Sequence, residues 1–189
     1  EEQPRLSQND EVLTQFAQLG SFAEMMLVHE HALVKIREDM PMAQAALIGC
    51  GVTTGVGSVI HTANVETGAT VAVIGCGGIG LSAINGAAIA GASRIIAVDM
   101  VASKLDLARK FGATDVVDAS DGDAVAKVIE MTGGGVHYSF EAIGLKATAE
   151  QAFQMLRRGG TATVIGMIPP GQMVSLHGVD FLSEKKIQG

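Results

Sequence analysis

A glycine-rich turn between an apolar run and a helical pattern is the feature that most constrains this chain. Residues 70–74 are apolar, Gly75-Cys-Gly-Gly-Ile-Gly80 follows directly, and helical periodicity begins within that turn. In a G-x-G-x-x-G turn the first glycine permits the tight turn, the second lets the backbone approach a pyrophosphate, and the third lets the helix pack on the strand. Free N–H groups at the positive end of the helix bind the pyrophosphate. The predicted dinucleotide site comprises Gly75, Gly77, Gly78, Ile79 and Gly80.

An acidic residue lies at the distance from the glycine turn that is typical of dinucleotide-binding sites. Asp99 follows the next apolar run, about 20 residues after the turn. Its carboxylate would accept hydrogen bonds from both hydroxyls of an adenosine ribose and would repel a 2′-phosphate, which favours NAD over NADP. Lys104 would reach the ribose or phosphate from the next helix, or would simply be exposed on it. Cys76 is interpreted as a small residue that fits the turn, with a redox role left open.

Short apolar runs alternate with helical periodicity after residue 70, a pattern typical of βαβ units and a buried parallel sheet. The predicted strands cover residues 70–74, 94–98, 115–117, 136–140 and 161–165. Residues 186–189 begin a sixth, and if it is cut off the fifth strand is left as an exposed edge. Glycines after basic residues predict helix ends at Gly112 and at 159–160. The fold class is α/β, a Rossmann-type doubly wound sheet with five strands plus the start of a sixth.

The first part of the chain shows a different pattern. Apolar runs at 21–28 and 32–36 flank His29-Glu-His31 and predict two strands around a turn. Pro41 is typical of a first helical turn, and the helix that it begins is expected to run to the glycines near Cys50. The sequence starts at Glu1 without a Met or an apolar signal core, so we expect a chain that begins within a longer protein.

Composition limits the classes of partner. Thirteen Lys and Arg against 20 Asp and Glu give a net charge of −7, which disfavours nucleic acid. Residues 40–65 and 67–93 contain no charged side chain and are long enough to cross about 30 Å of hydrocarbon. Because glycines and polar residues interrupt both stretches, we interpret them as buried strand and helix and expect no membrane span. Two cysteines without a disulfide framework suit a reducing compartment, and we expect a cytoplasmic protein.

Four segments, taken in order and spacing, closely resemble the zinc-containing medium-chain alcohol dehydrogenases, particularly their class III-like branch. They are Ile48-Gly-Cys-Gly-Val-Thr-Thr-Gly-Val-Gly-Ser58, the turn at 75–80, Val98-Asp99 and Phe140-Glu-Ala-Ile-Gly144. The resemblance runs from about Phe22 to the last residue. It implies an NAD-linked alcohol or aldehyde oxidoreductase in which zinc polarises a small substrate and a hydride passes to or from the nicotinamide.

The resemblance also implies roles for single residues. Cys50 would be one of three protein ligands of the catalytic zinc. Thr54 would contact the nicotinamide end of the coenzyme in the catalytic centre, and Ile79 would pack on the coenzyme. The residues implied to flank the nicotinamide are Ile143, Ile165 and Met167. Each aliphatic residue also has a plain interpretation as part of the core.

The sequence also departs from that family. The other two catalytic zinc ligands, a cysteine and a histidine, have no counterpart here, and neither has the four-cysteine structural zinc lobe. His29 and His31 would share one side of a strand and His61 follows Cys50, but nothing places them together, so we interpret them as surface or packing residues. We therefore expect a fragment that binds NAD, holds no zinc and is inactive alone. Its parent enzyme is expected to be a homo-oligomer.

The expected domains are a remnant of the catalytic, GroES-like lobe at 1–50 and an NAD-binding domain at 51–189, cut short at its C-terminal end. A non-catalytic NAD-binding sensor or assembly module is the alternative, since such a module needs binding without reaction. A methyltransferase-like domain that binds S-adenosylmethionine would share the glycine turn and the acidic residue. It would not account for the segments around Cys50 and 140–144.

Overall fold

A parallel sheet forms the centre of the computed structural model, which describes residues 6–15 and 19–189. Its strands are β1 Thr70–Ile74, β2 Arg94–Asp99, β3 Asp115–Asp118, β4 Val136–Glu141, β5 Leu156–Val164 and β6 Lys186–Gln188. They lie in the order β3-β2-β1-β4-β5-β6, and every neighbouring pair is parallel. The predicted Rossmann-type fold is confirmed.

Helices cover both faces of this sheet and explain why its strands are apolar runs. The helices are α1 Met42–Thr62, α2 Gly78–Ile89, α3 Ala102–Lys110, α4 Ala124–Thr132 and α5 Lys146–Gln154. Side chains alternate across a strand, so Val71 and Val73 join a core with α1, α2 and α3. Ala72 and Ile74 point the other way, into a core with α4 and α5. Both cores therefore require apolar residues at successive strand positions.

The last two strands correct two expectations. β6 pairs with β5 through Thr161–Lys186 and Ala162–Ile187, so the fifth strand is not left as an exposed edge. The helix end expected at 159–160 is also wrong, because α5 ends at Gln154 and β5 begins at Leu156. Residues 157–160 instead form an irregularity in the pairing with β4. Glycine after basic residues fits such a bulge as well as a helix end.

Helix α1 begins directly after Pro41, as predicted, but passes its glycines and ends at Thr62. Two π-helical turns, Ile48–Val52 and Ser58–Thr62, lie within it. Only Gly55 and Val59 are buried, so the expected burial of 40–65 is wrong, whereas β1 and α2 confirm it for 67–93. Among the described residues α1 alone is long and apolar enough to cross a membrane, with a mean hydropathy of 1.4. One such helix is weak support for a membrane span, because it rests on length and composition alone.

Contacts divide the chain into two units, Glu1–Pro41 and Met42–Gly189. The division expected after residue 50 falls inside α1 of the second unit. The first unit contains a short antiparallel pair, Ser7–Gln8 with Glu11–Val12, and a 3₁₀ helix, Glu30–Ala32. The strands expected at 21–28 and 32–36 do not form. An apolar run becomes a strand only where a neighbouring strand pairs with it, and neither run has one.

Candidate functional site

The glycine turn between β1 and α2 leaves no room for side chains at its two ends. Gly75 has a φ of +95°, and a Cβ there would lie 2.6 Å from Cγ1 of Ile143. A Cβ on Gly80 would overlap the carbonyl oxygen of Gly75. Gly77 differs, because nothing lies within 4 Å of its Cβ position. The fold therefore requires Gly75 and Gly80, whereas the open space at Gly77 is available to a ligand.

Asp99 is fixed against this turn by its own carboxylate. It ends β2, and only 9% of its surface is exposed. Its Oδ2 accepts a hydrogen bond from the N–H of Cys76 at 2.8 Å, and its Oδ1 accepts one from the N–H of Val101 at 3.0 Å. Each carboxylate oxygen keeps capacity for a further donor. The carboxylate is thus oriented beside the glycine turn and can still accept hydrogen bonds from a ligand.

A cleft of about 510 Å³ opens at the carboxyl ends of β1, β2 and β4. The strand order reverses between β1 and β4, which is where open α/β sheets bind ligands. The residues that line this cleft, called the coenzyme cleft below, are Ile74, Gly75, Gly77, Val98, Asp99, Met100, Val101, Lys104, Ala119, Ala142, Ile143, Ala147, Thr148 and Gln151.

The coenzyme cleft brings together the predicted residues Gly75, Gly77, Asp99, Lys104 and Ile143. Ile143 and Asp99 therefore line the same cleft. Two residues predicted to share a wall with Ile143 do not line the cleft: Ile165, which is half-buried, and Met167, which is 87% exposed.

Sequence reasoning missed other residues that line this cleft. Met100 and Val101 come directly after Asp99, and Thr148 lies in the first turn of α5. The position of Met100 beside the ribose-binding candidate was a usable signal. Nothing in the sequence marked Thr148, because its place depends on how α5 packs beside the turn at 142–144.

Helix α1 crosses α2 closely at Gly55, the residue that follows Thr54. A Cβ on Gly55 would lie 2.5 Å from Cβ of Ser82 and would overlap the carbonyl oxygen of Ile79. Thr54 is half-buried, and its carbonyl oxygen accepts a hydrogen bond from Oγ of Ser58 at 2.6 Å. Gly78 and Ile79 lie in the first turn of α2, and the carbonyl oxygen of Ile79 is at this crossing. The α1 segment that contains Thr54 and the glycine turn are therefore neighbours, and a contact of Thr54 with the coenzyme stays a prediction.

Cys50 and Cys76 have contrasting surroundings. Cys50 is exposed and lines an apolar cleft of about 410 Å³ that also contacts Gly78 and Phe111. Cys76 is buried, and burial, together with the nearby Asp99, raises the pKa of its thiol to about 12. A thiol with that pKa carries almost no thiolate at neutral pH, which disfavours a redox role for Cys76.

Within residues 6–15 and 19–189, no group of three or more His, Cys, Asp or Glu side chains is placed to hold a metal ion. His29 and His31 are exposed, and their ring centroids lie 5.0 Å apart. They do not share a strand face, because Glu30–Ala32 is a 3₁₀ helix. Among the described residues, Cys50 therefore does not stand in a group of the three protein ligands that a catalytic zinc takes.

Known proteins resemble this chain in both sequence and structure. The family model for zinc-binding dehydrogenases matches residues 78–189, more than half of the chain. A relative described as probable S-(hydroxymethyl)glutathione dehydrogenase 1, from Schizosaccharomyces pombe, is 42% identical over 187 residues. That alignment covers 98% of this chain and 50% of the relative, so the chain spans about half the length of the curated relative that it matches.

Two solved structures share the fold. Benzyl alcohol dehydrogenase from Acinetobacter calcoaceticus superposes with a TM-score of 0.80 and 36% identity, over 82% of this chain and 43% of the other. A protein from Sinorhizobium meliloti 1021, described as a zinc-binding dehydrogenase and bound to NADP, gives a TM-score of 0.70 and 32% identity, over 74% and 42%. From the match of the family model, the chain belongs to the zinc-binding dehydrogenase family.

Proposed function

We propose that this chain is the coenzyme-binding part of a zinc-dependent, NAD-linked alcohol or aldehyde oxidoreductase, and that it binds NAD by itself. The observation that carries the proposal is the coenzyme cleft, in which an open Gly77 and an oriented Asp99 carboxylate face the same space. Alcohol dehydrogenases among the similar proteins support the reaction class.

Each part of the coenzyme cleft suits one part of NAD. The pyrophosphate would bind the N–H groups that begin α2, where Gly77 leaves space. Asp99 would accept hydrogen bonds from the adenosine ribose. Met100 and Ile143 line the cleft together with Asp99 and would give apolar surface to the adenine ring, so we propose that Ile143 contacts the adenosine half and not the nicotinamide. Bound NAD supplies a hydride acceptor, and the residues of this chain bind and orient it.

The preference between NAD and NADP tests the role of Asp99. We expect NADH to bind at least roughly tenfold more tightly than NADPH, since a ribose 2′-phosphate would meet the Asp99 carboxylate. Asp99→Gly should weaken the binding of NADH and reduce the difference in affinity between the two coenzymes. Fluorescence titration with both coenzymes measures it. Equal binding of the two, or no binding by the folded chain, would overturn the proposal.

The parent enzyme's reaction is proposed from the family and is tested on the full-length protein. We propose a zinc-assisted hydride transfer on a small alcohol or aldehyde, in a cytoplasmic homo-oligomer that engages neither nucleic acid nor a membrane. We also propose that this chain alone holds no zinc and has no turnover. Dehydrogenase assays on the full-length protein, with and without a chelator, test the mechanism, because chelator-insensitive activity would argue against zinc.

A non-catalytic NAD-binding module remains the second candidate. Its specific support is that the described residues form a binding cleft without a cluster of metal ligands. The same assay separates the two candidates. A full-length protein that binds NADH without turning over any alcohol or aldehyde would favour the module, and measurable zinc-dependent turnover would exclude it.

A further inference from the structure

A fully buried carboxylate lies in the middle of the carboxyl edge of the sheet. Glu141 is the last residue of β4, and in the strand register it lies between Ile74 of β1 and Val164 of β5. Its side chain does not line the coenzyme cleft. Among the described residues, no Lys or Arg forms an ion pair with it. A buried, unpaired carboxylate is costly unless its hydrogen bonds compensate for the lost solvent.

One oxygen of this carboxylate holds the turn that follows β4. Oε1 of Glu141 accepts hydrogen bonds from the N–H of Ile143 at 2.9 Å, from the N–H of Gly144 at 2.7 Å and from Oγ1 of Thr148 at 2.7 Å. Oε2 is also buried and has no hydrogen-bond partner in the part of the chain that the structure describes. An apolar residue at this position would leave the buried N–H of Gly144 and the part-buried donors of Ile143 and Thr148 without this acceptor. The carboxylate therefore fixes the turn 142–144 against the first turn of α5.

That turn forms a wall of the coenzyme cleft. Ala142 and Ile143 both line the cleft, and Ile143 packs so closely on the glycine turn that a Cβ on Gly75 would lie 2.6 Å from its Cγ1. A shift of a few tenths of an ångström in the turn would therefore move Ile143 relative to the glycine turn. The position of this wall depends on the acceptor that Glu141 provides.

The backbone of Glu141 connects the same turn to the loop after β5. Its carbonyl oxygen accepts hydrogen bonds from the N–H groups of Ile165 and Gly166, at 2.8 and 3.0 Å. Gly144 packs on that loop, where a Cβ on Gly144 would lie 2.7 Å from the carbonyl oxygen of Met167. One residue thus joins the wall that contains Ile143 to the segment 165–167.

We propose that Glu141 is a positioning residue for the coenzyme, acting through the N–H groups of Ile143 and Gly144 on the wall that receives the adenosine half. This rests on the proposed function, since it assumes that NAD occupies the coenzyme cleft. Glu141 itself does not touch the coenzyme. Its contribution is to hold Ile143 in place before the coenzyme arrives, which lowers the cost of ordering the site on binding.

Glu141→Gln tests the proposal with little change of shape. Glutamine keeps one acceptor oxygen but loses the charge that strengthens all three hydrogen bonds, and it places an N–H₂ group where Oε2 has no partner. The Kd for NADH should rise roughly tenfold. The Kd for AMP, which carries only the adenosine half of NADH, should rise by a similar factor. An AMP affinity unchanged from the wild type would overturn the proposal.

Thr148→Val provides a second, milder variant, because it removes a single donor to Oε1. We expect the NADH Kd to rise about threefold. In the double variant the effects should be less than multiplicative, since both act through one oxygen. If Glu141→Gln does not fold, Thr148→Val decides, and an unchanged Kd overturns the proposal.

Glu150→Gln is the matched control, since it makes the same chemical change on α5 outside the cleft. The Glu150 carboxylate accepts a hydrogen bond from the N–H of Ser175 at 2.8 Å. The Kd of Glu150→Gln for NADH should stay within twofold of that of the wild type. A merely structural Glu141 would lower the Tm of Glu141→Gln while its folded fraction binds NADH normally, and this result would overturn the inference alone. A folded wild-type chain that fails to bind NADH overturns the proposed function instead.

Discussion

At the scale of single residues, Gly77 separates the requirements of the coenzyme from those of the fold. Its Cβ position is empty, whereas Gly75 and Gly80 are enclosed by neighbouring atoms. We predict that Gly77→Val leaves the Tm within about 2 °C. Its NADH affinity should fall at least roughly 100-fold, because the branched side chain would occupy the space of the pyrophosphate. Thermal melting and fluorescence titration measure the two quantities.

Gly178→Val is the control for that substitution. Gly178 also has nothing within 4 Å of its Cβ position, but it lies in the 3₁₀ helix Gly178–Ser183, outside the coenzyme cleft. It should bind NADH like the wild type. Tight NADH binding by Gly77→Val would show that the pyrophosphate does not lie over this turn.

The two thiols give a second prediction at this scale. Burial raises the pKa of Cys76 to about 12, so at pH 8 only about one molecule in 10⁴ carries its thiolate, while Cys50 is exposed. The native chain should react with a disulfide reagent at one thiol, and the denatured chain at two. Cys50→Ser should abolish the reaction of the native chain. Rapid reaction of two thiols in the native state would contradict the buried position of Cys76.

The residues of the site differ in how far the sequence predicts them. Gly75, Gly77 and Asp99 could be predicted because the turn and the ribose-binding position are set by local sequence. Glu141 could not, since its role depends on three donors that come together only when α5 packs beside the end of β4. Residue type alone would have placed that carboxylate on the surface.

At the scale of elements, two glycines of α1 differ in the space available for a side chain. A Cβ on Gly55 would lie 2.5 Å from Cβ of Ser82 in α2, whereas nothing lies within 4 Å of the Cβ position of Gly57. Gly55→Ala should therefore destabilise the fold by about 2 kcal/mol through overpacking. Gly57→Ala should stabilise it by about 0.5–1 kcal/mol, since alanine favours the helix. Urea denaturation measures both, and shifts of the same sign would contradict the close crossing.

An ion pair joins Arg94 and Asp115, the first residues of β2 and β3, and its effect on stability depends on pH. Nε and Nη2 of Arg94 donate hydrogen bonds to the Asp115 carboxylate, each at 2.9 Å. The hydrogen bonds from Arg94 lower the pKa of Asp115. Its stabilisation is therefore complete above the pKa of an unfolded Asp, near 4, and is lost as the pH falls through the lower folded pKa.

The corresponding prediction compares the wild type with Asp115→Asn. At pH 7 the wild type should be more stable by about 1 kcal/mol, and the difference should shrink as the pH approaches 3. Urea denaturation at pH 7, 5 and 3 measures it. Asp121→Asn is the control, because the Asp121 side chain is 93% exposed and should show little difference. A difference in the free energy of unfolding between the wild type and Asp115→Asn that grows toward pH 3 would contradict a lowered pKa of Asp115.

The strands of the sheet could be predicted because burial on both faces leaves a strong local signal. The first four agree with the predicted ranges to within one residue. Residues 21–36 have similar apolar runs but no partner strand, and pairing is not a local property. Helix α1 shows the same limit, since its period predicts a helix but cannot show that most of its apolar surface stays exposed.

At the scale of the whole molecule, coenzyme binding should belong to one of the two units. All residues that line the coenzyme cleft fall between Ile74 and Gln151, inside the unit Met42–Gly189. A chain that begins at Met42 should therefore bind NADH with a Kd within twofold of that of the whole chain. Circular dichroism shows whether the shortened chain keeps its sheet and helices.

Stabilisation by the coenzyme tests the same assignment independently of fluorescence. At a concentration 100 times the Kd, NADH should add about 2.7 kcal/mol to the folded state. For a chain of this size that corresponds to an increase in Tm of roughly 5–10 °C. The added free energy of unfolding should be equal in the whole and the shortened chain, because mass action depends only on the Kd of the folded site. A shortened chain that keeps its helices and sheet but shows no shift would place part of the coenzyme site in the first 41 residues.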